Sequence, residues 1–198
     1  FIIVDRFTNV TIGAGMILDR ESAQLRRARR EHTNRSALFT QTSSAISQAE
    51  RAARLDQLPH TIWLTGLPRA GKTTIAMALE SALWKRNKTV CILDGTNLRL
   101  ALNSDLGFTA EDRREACRRG AQTARLLNEQ GMIVIATFVS PYSEIRRLAR
   151  DIIGDALFVE VHVDAPASVC MERDQNNGSS VYEQAGQGKI RSFTGVSA

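Results

Sequence analysis

The sequence feature that most constrains the fold is an octapeptide of the form G-x-x-x-x-G-K-[ST], Gly66-Leu67-Pro68-Arg69-Ala70-Gly71-Lys72-Thr73. The preceding run, residues 61–65, is short, apolar and rich in β-forming residues, which predicts a buried strand. After the loop, Ile75, Leu79 and Leu83 recur at helical spacing, which predicts a helix from Thr73 to Lys85 with one apolar face. A strand, a glycine loop and a helix in succession form the context in which this motif binds phosphate.

The chemistry of such a loop is specific. Its glycines allow backbone N–H groups to wrap phosphate oxygens, and the helix N-terminus adds partial positive charge. We expect Lys72 to reach the β- and γ-phosphates of a bound nucleotide and the Thr73 hydroxyl to ligate Mg²⁺. The alternative, a strand–helix turn without a ligand, is disfavoured because strand, spacing, Lys and Thr all agree with the motif.

Length and composition narrow the class of protein. A chain of 198 residues with 43% hydrophobic residues has room for one α/β domain and an extension. No apolar run approaches the ~18 residues of a membrane span, so no membrane association is expected. The formal charge of +5 is concentrated in residues 24–31, where no aromatic residue is interleaved; this favours a solvated linker over a nucleic-acid patch.

The cysteines, Cys91, Cys117 and Cys170, form no C-x-x-C pair, and the three histidines are scattered. This pattern argues against a disulfide framework and against a zinc or His-based metal site, and it predicts a cytoplasmic protein. Because the chain begins with Phe, we expect it to be part of a longer protein.

Three segments are distinguished along the chain. Residues 1–18 have strand character and too few residues for a core of their own; residues 19–58 predict a connector with lead-in helices; residues 59–198 alternate between strands and helices. Strands are predicted over 61–65, 89–93, 132–139 and 157–163, and helices over 48–55, 72–86, 96–103, 110–130, 141–151 and 166–173. This alternation predicts an α/β fold, a P-loop kinase-type doubly wound parallel sheet with helices on both faces. The strand at 157–163 contains Glu160 and His162 and is expected near an edge.

Two polar residues follow predicted strands, where the carboxyl ends of parallel strands line the ligand crevice. Asp94 is predicted to hold Mg²⁺ through water or to orient an attacking hydroxyl; the alternative is an N-cap for helix 96–103. Ser140 either donates to substrate or caps helix 141–151 with Pro141 in the first helical position. The spacing alone leaves these two roles of Ser140 equally open.

Arginines cluster at the start of the long helix, Arg113, Arg114, Arg118 and Arg119. Arg113 is the best candidate to bind an anionic substrate, while others are expected to be solvated. Phe108 either stacks on a purine or belongs to the core. Near the C-terminus, Arg173 precedes a polar stretch that forms either a lid over the phosphates or a surface loop.

In combination these motifs resemble the adenylyl-sulfate kinase family from about Ser47 to the last residue. The resemblance rests on the loop at 66–73, Leu93-Asp94-Gly95 with Asn97 and Arg99, Leu106-Gly107-Phe108, Glu111-Asp112-Arg113, Phe138 with Ser140-Pro141-Tyr142, Val163-Asp164-Ala165-Pro166 with Cys170, Arg173-Asp174, and Phe193-Thr194-Gly195. Residues 4–17 resemble the C-terminal end of the GTPase-type large subunit of sulfate adenylyltransferase. The chain is thus similar to the kinase end of a bifunctional sulfate-activation protein, and the family continues beyond Ala198.

The resemblance implies transfer of the γ-phosphate of ATP to the 3′-hydroxyl of adenosine 5′-phosphosulfate, with Mg²⁺. It implies Lys72, Asp94 and Ser140 as catalytic residues, with Ser140 matching a serine that can carry a phosphoryl group. It implies a phosphate site formed by Gly66, Leu67, Pro68, Arg69, Ala70, Gly71, Lys72, Thr73, Thr74 and Arg173. The sulfonucleotide site would contain Asn97, Arg99, Phe108, Arg113, Val139, Ser140, Phe193 and Thr194. Expected partners are the adenylyltransferase large-subunit domain in cis and its small subunit, with homodimer formation left open.

Several positions depart from the family pattern. Pro68-Arg69 replaces the usual Ser-Gly, Thr96 replaces an Asp, Ala116 replaces an Asn, and residues 179–184 replace a Lys-Gly-Leu-Tyr-Lys-Lys run. These changes motivate two alternatives: a P-loop kinase for another nucleotide or small alcohol, and a degenerate kinase-like module that regulates sulfate adenylyltransferase. A lost hydrogen bond to a charged partner costs about 1.5–3 kcal/mol, which weakens an enzyme without changing its class.

Overall fold

The computed structural model describes residues 2–4, 11–14, 42, 44–176, 178 and 181–187, and the chain divides into two compact units, within residues 1–44 and 45–198. In the first unit, strands β1 (Ile2–Val4) and β2 (Thr11–Ala14) pair in antiparallel fashion, with an irregularity between Ile3 and Val4. Both strands agree with the strand character predicted for this segment.

The second unit is built on a parallel sheet, as predicted. Its strands are β3 (Thr61–Thr65), β4 (Val90–Asp94), β5 (Ile133–Thr137) and β6 (Phe158–His162), in the order β4-β5-β3-β6. All three pairings are parallel. The inner strand β5 is apolar and almost wholly buried because helices cover both faces of the sheet. Strand β6 lies at an edge, as its polar residues indicated, and its residues after Phe158 are exposed.

Helices of this unit flank the sheet and connect its strands. Those within the described residues are α1 (Gln48–Arg54), α2 (Lys72–Trp84), α3 (Gly95–Leu100), α4 (Ala110–Glu129), α5 (Ser143–Ile153), α6 (Ala167–Asn176) and α7 (Val181–Gly186), with a 3₁₀ turn at Asp155–Leu157. Ser47 forms a capping box with Glu50 at the start of α1, and Thr109 caps α4 through the N–H of Asp112. None of these helices has the length and apolarity that a membrane span requires.

One helix begins later than predicted, and one helix was not predicted. Helix α5 begins at Ser143 with Tyr142 as its N-cap residue, so neither Ser140 nor Pro141 starts it. Helix α7 occupies part of the polar stretch for which only a lid or a loop was considered. Its apolar residue Tyr182 is buried in the tertiary structure, which the local polarity of the stretch conceals.

Two apolar clusters hold the helices to opposite faces of the sheet. Successive residues of β3 contribute to different clusters, because side chains alternate along a strand. Trp63 lies among residues of α4 and α5, stacked on Phe138 at 4.6 Å between ring centroids. Leu64 lies among residues of α2, α6 and α7. The helices on both faces confirm the doubly wound arrangement.

In the first turns of helix α2, the face that packs against the sheet differs from the predicted apolar face. Lys72 and Ala76, four residues apart, are buried, and Leu79 and Leu83 pack against the second cluster. Ile75 is exposed, contrary to the predicted alignment with Leu79 and Leu83. The reason is geometric: Ile75 lies about 100° around the helix from Ala76, which faces the sheet.

Candidate active site

The phosphate loop joins β3 to α2 at the carboxyl edge of the sheet. Gly66 and Gly71 have φ angles of +140° and +108°, which side-chain-bearing residues rarely adopt. A Cβ on Gly66 would also lie 2.5 Å from the Val163 carbonyl oxygen, so this position requires glycine for space as well. Arg69 adopts a left-handed φ of +64° without being glycine. These three positive φ angles shape the loop, which ends at Gly71, the N-cap residue of α2.

The ammonium group of Lys72 folds back onto the loop. Its Nζ donates to the carbonyl oxygens of Gly66 at 2.9 Å and Leu67 at 2.7 Å. Burial lowers the pKa of Lys72 to about 8, although Cys170 and Asp94 act in the opposite direction. Among the described residues, the hydrogen bonds of this desolvated ammonium go to neutral carbonyls, which it is well suited to exchange for phosphate oxygens.

Asp94, at the end of β4, has the capping role that its sequence position suggested, and it also contacts the first turn of α2. Its Oδ1 accepts from the N–H groups of Thr96 and Asn97 and so caps α3. Its Oδ2 accepts from the hydroxyls of Thr73 at 2.9 Å and Thr137 at 2.7 Å. Burial raises the pKa of Asp94, but these four hydrogen bonds together hold it below its usual value. The capping contact to Thr96 uses backbone, so the usual Asp at that position is not needed for it.

The Thr73 hydroxyl and the Asp94 carboxylate present the hard oxygen ligands that Mg²⁺ prefers. Within the described part of the chain no group of three or more His, Cys, Asp or Glu side chains is placed to hold a metal. Mg²⁺ characteristically uses one or two protein oxygens together with water and substrate phosphates, which matches this sparse set. The residues present therefore fit a Mg²⁺–nucleotide complex rather than a permanent metal centre.

Ser140 follows β5 and lies against the end of β3, with a φ of +31°. Its hydroxyl is buried; it accepts from Trp63 Nε1 at 3.1 Å and donates to Thr65 Oγ1 at 2.9 Å. Thr65 in turn donates to the carbonyl of Val139 at 2.9 Å. The cap alternative is thus wrong, because the hydroxyl points into the sheet edge and not along α5. The neighbouring Val139 is half-buried.

Arg99, Phe108 and Arg113 lie together on one side of this edge. The guanidinium carbons of Arg99 and Arg113 lie 4.3 Å and 6.0 Å from the centroid of the Phe108 ring. The Phe108 ring is 51% exposed, so the core alternative is wrong. Arg113 donates through Nε to the Phe108 carbonyl at 3.1 Å, and Arg99 donates to the Gly107 carbonyl at 2.7 Å.

Arg113 has a feature that points to a ligand. The residue is buried, and its Nη2 atom has no hydrogen-bond partner among the described residues. A buried guanidinium nitrogen without an acceptor is costly, so we expect its partner to be an anion or a carbonyl that is not among the described residues. By contrast, Arg118 and Arg119 are paired with Glu115, and Arg119 also with Asp105. Only Arg113 of these three is directed at Phe108.

The C-terminal helices complete the surroundings of the phosphate loop. Arg173 donates through Nη1 to the carbonyls of Arg69 and Ala70 at 3.3 and 3.2 Å. Asp174 pairs with Arg69. Thr74 and Asn97 lie at the starts of α2 and α3 with exposed side chains. Phe193 and Thr194, predicted for the sulfonucleotide site, lie outside the described residues.

Sequence reasoning missed five residues that support this site, Trp63, Thr65, Thr137, Asp174 and Tyr182. The first three lie in or at the end of predicted strands and were interpreted only as β-forming residues. For Thr65 and Thr137, the position at a strand carboxyl end was a usable signal, since that edge lines the crevice; Trp63, in the middle of β3, offered no such signal. Nothing local indicates that Asp174 and Tyr182 contact the loop, because their partners lie more than a hundred residues away.

The chain is similar in sequence to proteins of known family. The family model of adenylylsulphate kinase matches residues 58–198. The bifunctional enzyme NodQ of Rhizobium meliloti is 43% identical over 198 residues, which is 100% of this chain and 28% of that protein. The adenylyl-sulfate kinase of Pseudomonas aeruginosa is 47% identical over 167 residues, 84% of this chain and 79% of that protein.

Among solved structures, the chain is similar to the Mycobacterium tuberculosis APS kinase CysC in complex with AMPPNP and APS. The TM-score is 0.65 with 41% sequence identity, over 70% of this chain and 79% of that one. The chain spans less than a third of the length of the bifunctional relatives that it matches from end to end.

Proposed function

This chain belongs to the adenylylsulphate kinase family, and we propose that it transfers the γ-phosphoryl group of ATP to the 3′-hydroxyl of adenosine 5′-phosphosulfate, forming 3′-phosphoadenosine 5′-phosphosulfate. The observation that carries the assignment of the acceptor is the group formed by Arg99, Phe108 and Arg113. A half-exposed ring between two guanidinium groups, one with an unsatisfied donor, suits a nucleotide with an aromatic base and an anionic group.

On the donor side, the loop and Lys72 bind the β- and γ-phosphates. The Lys72 ammonium exchanges the Gly66 and Leu67 carbonyls for phosphate oxygens. Thr73 and Asp94 would hold Mg²⁺, which when bound neutralises charge on the phosphate oxygens. Arg173, already against the loop backbone, adds positive charge beside the same phosphates.

On the acceptor side, Arg99, Phe108 and Arg113 bind and orient the sulfonucleotide, with Asn97, Val139, Ser140, Phe193 and Thr194 as further parts of its site. Asp94 orients the 3′-hydroxyl toward the γ-phosphorus. A bond forms between that oxygen and phosphorus while the bond to the bridging oxygen of ADP breaks, and the hydroxyl proton is released. Positioning and charge neutralisation dominate such a transfer, and the described residues supply both.

The match to NodQ supports a wider context for the chain. It includes residues 1–57, which precede the region of the kinase family model. We infer that these residues come from the end of a sulfate adenylyltransferase large-subunit domain linked to the kinase, with the small subunit as a further partner. The longer protein would then make adenylyl sulfate and phosphorylate it.

The test is ADP release that requires both adenylyl sulfate and Mg²⁺. We expect Lys72→Ala to abolish it and Lys85→Ala, an exposed lysine just beyond the same helix, to leave it unchanged. Chelation of Mg²⁺ should stop turnover, and its restoration should recover it. ATP hydrolysis that ignores adenylyl sulfate, or turnover with another acceptor only, would refute the proposal. Nucleotide binding without any turnover would favour a regulatory module.

A further inference from the structure

The back of the phosphate loop is held by the two helices that follow β6. Three successive loop residues, Pro68, Arg69 and Ala70, have carbonyl oxygens that accept hydrogen bonds from this part of the chain. Tyr182 of α7 donates its hydroxyl to the Pro68 carbonyl at 2.8 Å. Arg173 of α6 lies against the carbonyls of Arg69 and Ala70.

One side chain of the loop is held as well. Arg69 Nε lies 2.9 Å from Asp174 Oδ1, and the second carboxylate oxygen of Asp174 accepts from the backbone N–H of Tyr182 at 3.1 Å. The Asp174 side chain is 2% exposed, whereas that of Arg69 is 39% exposed. A carboxylate buried so completely needs a charged partner, and the loop arginine supplies one.

The backbone of Arg69 makes this arrangement informative. Its φ of +64° is in the left-handed region, which an arginine adopts only at a cost in free energy. The surrounding contacts must therefore hold it there. Arg69 is anchored at both its side chain and its carbonyl, and Asp174 joins that anchor to the start of α7.

The contacts also orient the loop. All peptide bonds of the described residues are trans, so a carbonyl and the N–H group that follows it point in opposite directions. When Tyr182 holds the Pro68 carbonyl, the N–H of Arg69 is turned to the other side of the loop. When Arg173 holds the Ala70 carbonyl, the N–H of Gly71 is turned in the same sense. Phosphate loops bind through such N–H groups.

We propose that Arg69, Asp174 and Tyr182 are positioning residues that hold the phosphate loop in the shape that receives nucleotide phosphates. The inference rests on the proposed nucleotide-binding role of the loop. By reciprocity, a nucleotide bound to the loop stabilises helix α7. Arg69 acts through Asp174 and not by contact with the phosphates. Its contribution to nucleotide binding therefore depends on a partner in α6.

The experiment compares Arg69→Gln, Arg69→Gly, Asp174→Asn, their double variants and the wild type. The control is Arg125→Gln, which breaks an exposed ion pair with Glu129 on α4. We measure the Kd of fluorescently labelled ADP with Mg²⁺, the KM values of ATP and adenylyl sulfate, and hydrogen–deuterium exchange of α7.

We expect each single variant to raise the ADP Kd and the ATP KM by about tenfold, the scale of one lost charge-assisted interaction. The adenylyl sulfate KM should stay unchanged. Because the residues act as one unit, the double variant Arg69→Gln/Asp174→Asn should be no worse than either single variant. Bound ADP should slow exchange in α7 of the wild type and of Arg125→Gln, but not in the Arg69 or Asp174 variants.

Each contrary result is distinct. If Arg69→Gln weakens ADP binding while Asp174→Asn does not, Arg69 contacts the phosphates directly and the inference fails. If Arg69→Gly binds ADP as well as the wild type, only the backbone conformation matters and the inference fails. If the wild type binds ADP and shows the expected coupling to α7 but does not phosphorylate adenylyl sulfate, the proposed reaction fails and the positioning role stands.

Discussion

Removal of the Ser140 hydroxyl separates a structural role from a phosphoryl-carrying role. In the structure this hydroxyl accepts from the indole N–H of Trp63, a residue without solvent exposure, and donates to Thr65. Ser140→Ala therefore leaves a buried indole donor without an acceptor, which costs about 1–3 kcal/mol, in addition to the net loss of about 1 kcal/mol for the second bond. We expect a total loss of about 2–4 kcal/mol in the free energy of unfolding.

A double-mutant cycle makes the estimate specific. In a Trp63→Phe background the orphaned donor does not exist, so Ser140→Ala should cost only about 1 kcal/mol. The coupling energy between the two positions is thus expected to be about 1–3 kcal/mol. Guanidinium denaturation followed by circular dichroism measures all four proteins, and the slope of the transition shows whether each remains two-state.

Kinase assays on the same four proteins provide the decisive contrast. If the hydroxyl positions Trp63 and Thr65, kcat of Ser140→Ala should fall less than about tenfold, as expected for a small shift of the site. If Ser140 carries the phosphoryl group on the main path, kcat should fall by orders of magnitude, as on loss of a nucleophile. Two results together would refute the structural role of the hydroxyl. The first is a fall of kcat by orders of magnitude, and the second is an equal stability cost of Ser140→Ala in the wild-type and Trp63→Phe backgrounds.

Further predictions concern packing, buried polar contacts and pH. A Cβ on Gly120 would overlap the Phe138 ring, so Gly120→Ala should destabilise the protein. Without this overlap, the higher helix propensity of Ala would stabilise it by ~1 kcal/mol. A higher melting temperature of the variant would contradict the prediction. The buried Asn128 side chain accepts a hydrogen bond from the Thr61 hydroxyl at 2.7 Å. Asn128→Leu should lower the free energy of unfolding, measured by denaturation, by about 2–4 kcal/mol, and by less in a Thr61→Val background. Strictly additive effects of the two substitutions would count against the contact. Hydrogen bonds from neighbouring arginines lower the pKa of Glu115, so its stabilisation is present above its unfolded-state pKa and is lost as the pH falls through the folded-state value. Glu115→Gln should therefore reduce stability at pH 7 but not at pH 2, and an equal loss at both pH values in urea titrations would exclude this cause.

Much of the fold follows from local pattern. The apolar runs before Gly66 and after Gly131 are short, and the helical periodicities between them are long, so strands and helices could be distinguished with bounds correct to a few residues. Prediction failed where burial depends on distant partners. Tyr182 forms part of a core cluster in α7, yet the residues around it are polar, and no local period reveals its burial.

The candidate site divides in the same way. The positions of Lys72, Thr73 and Asp94 follow from their places beside strand ends, because parallel strands bring their carboxyl ends to one edge. The inward direction of Ser140 could not be predicted, since its φ of +31° and its contacts with β3 depend on the register between strands. The exposure of Phe108 likewise depends on how the loop before α4 packs.

By itself the sequence determined the class of fold, the phosphate loop and the residues available at the edge of the sheet, because these depend on motif spacing and hydrophobic period. Only the tertiary structure decided which groups face one another. It left a guanidinium nitrogen of Arg113 buried without a partner among the described residues, beside Phe108, and it joined Arg69 to Asp174 across 105 positions of the chain. Such pairings arise when separate elements pack on the two faces of one sheet, and no local pattern encodes them.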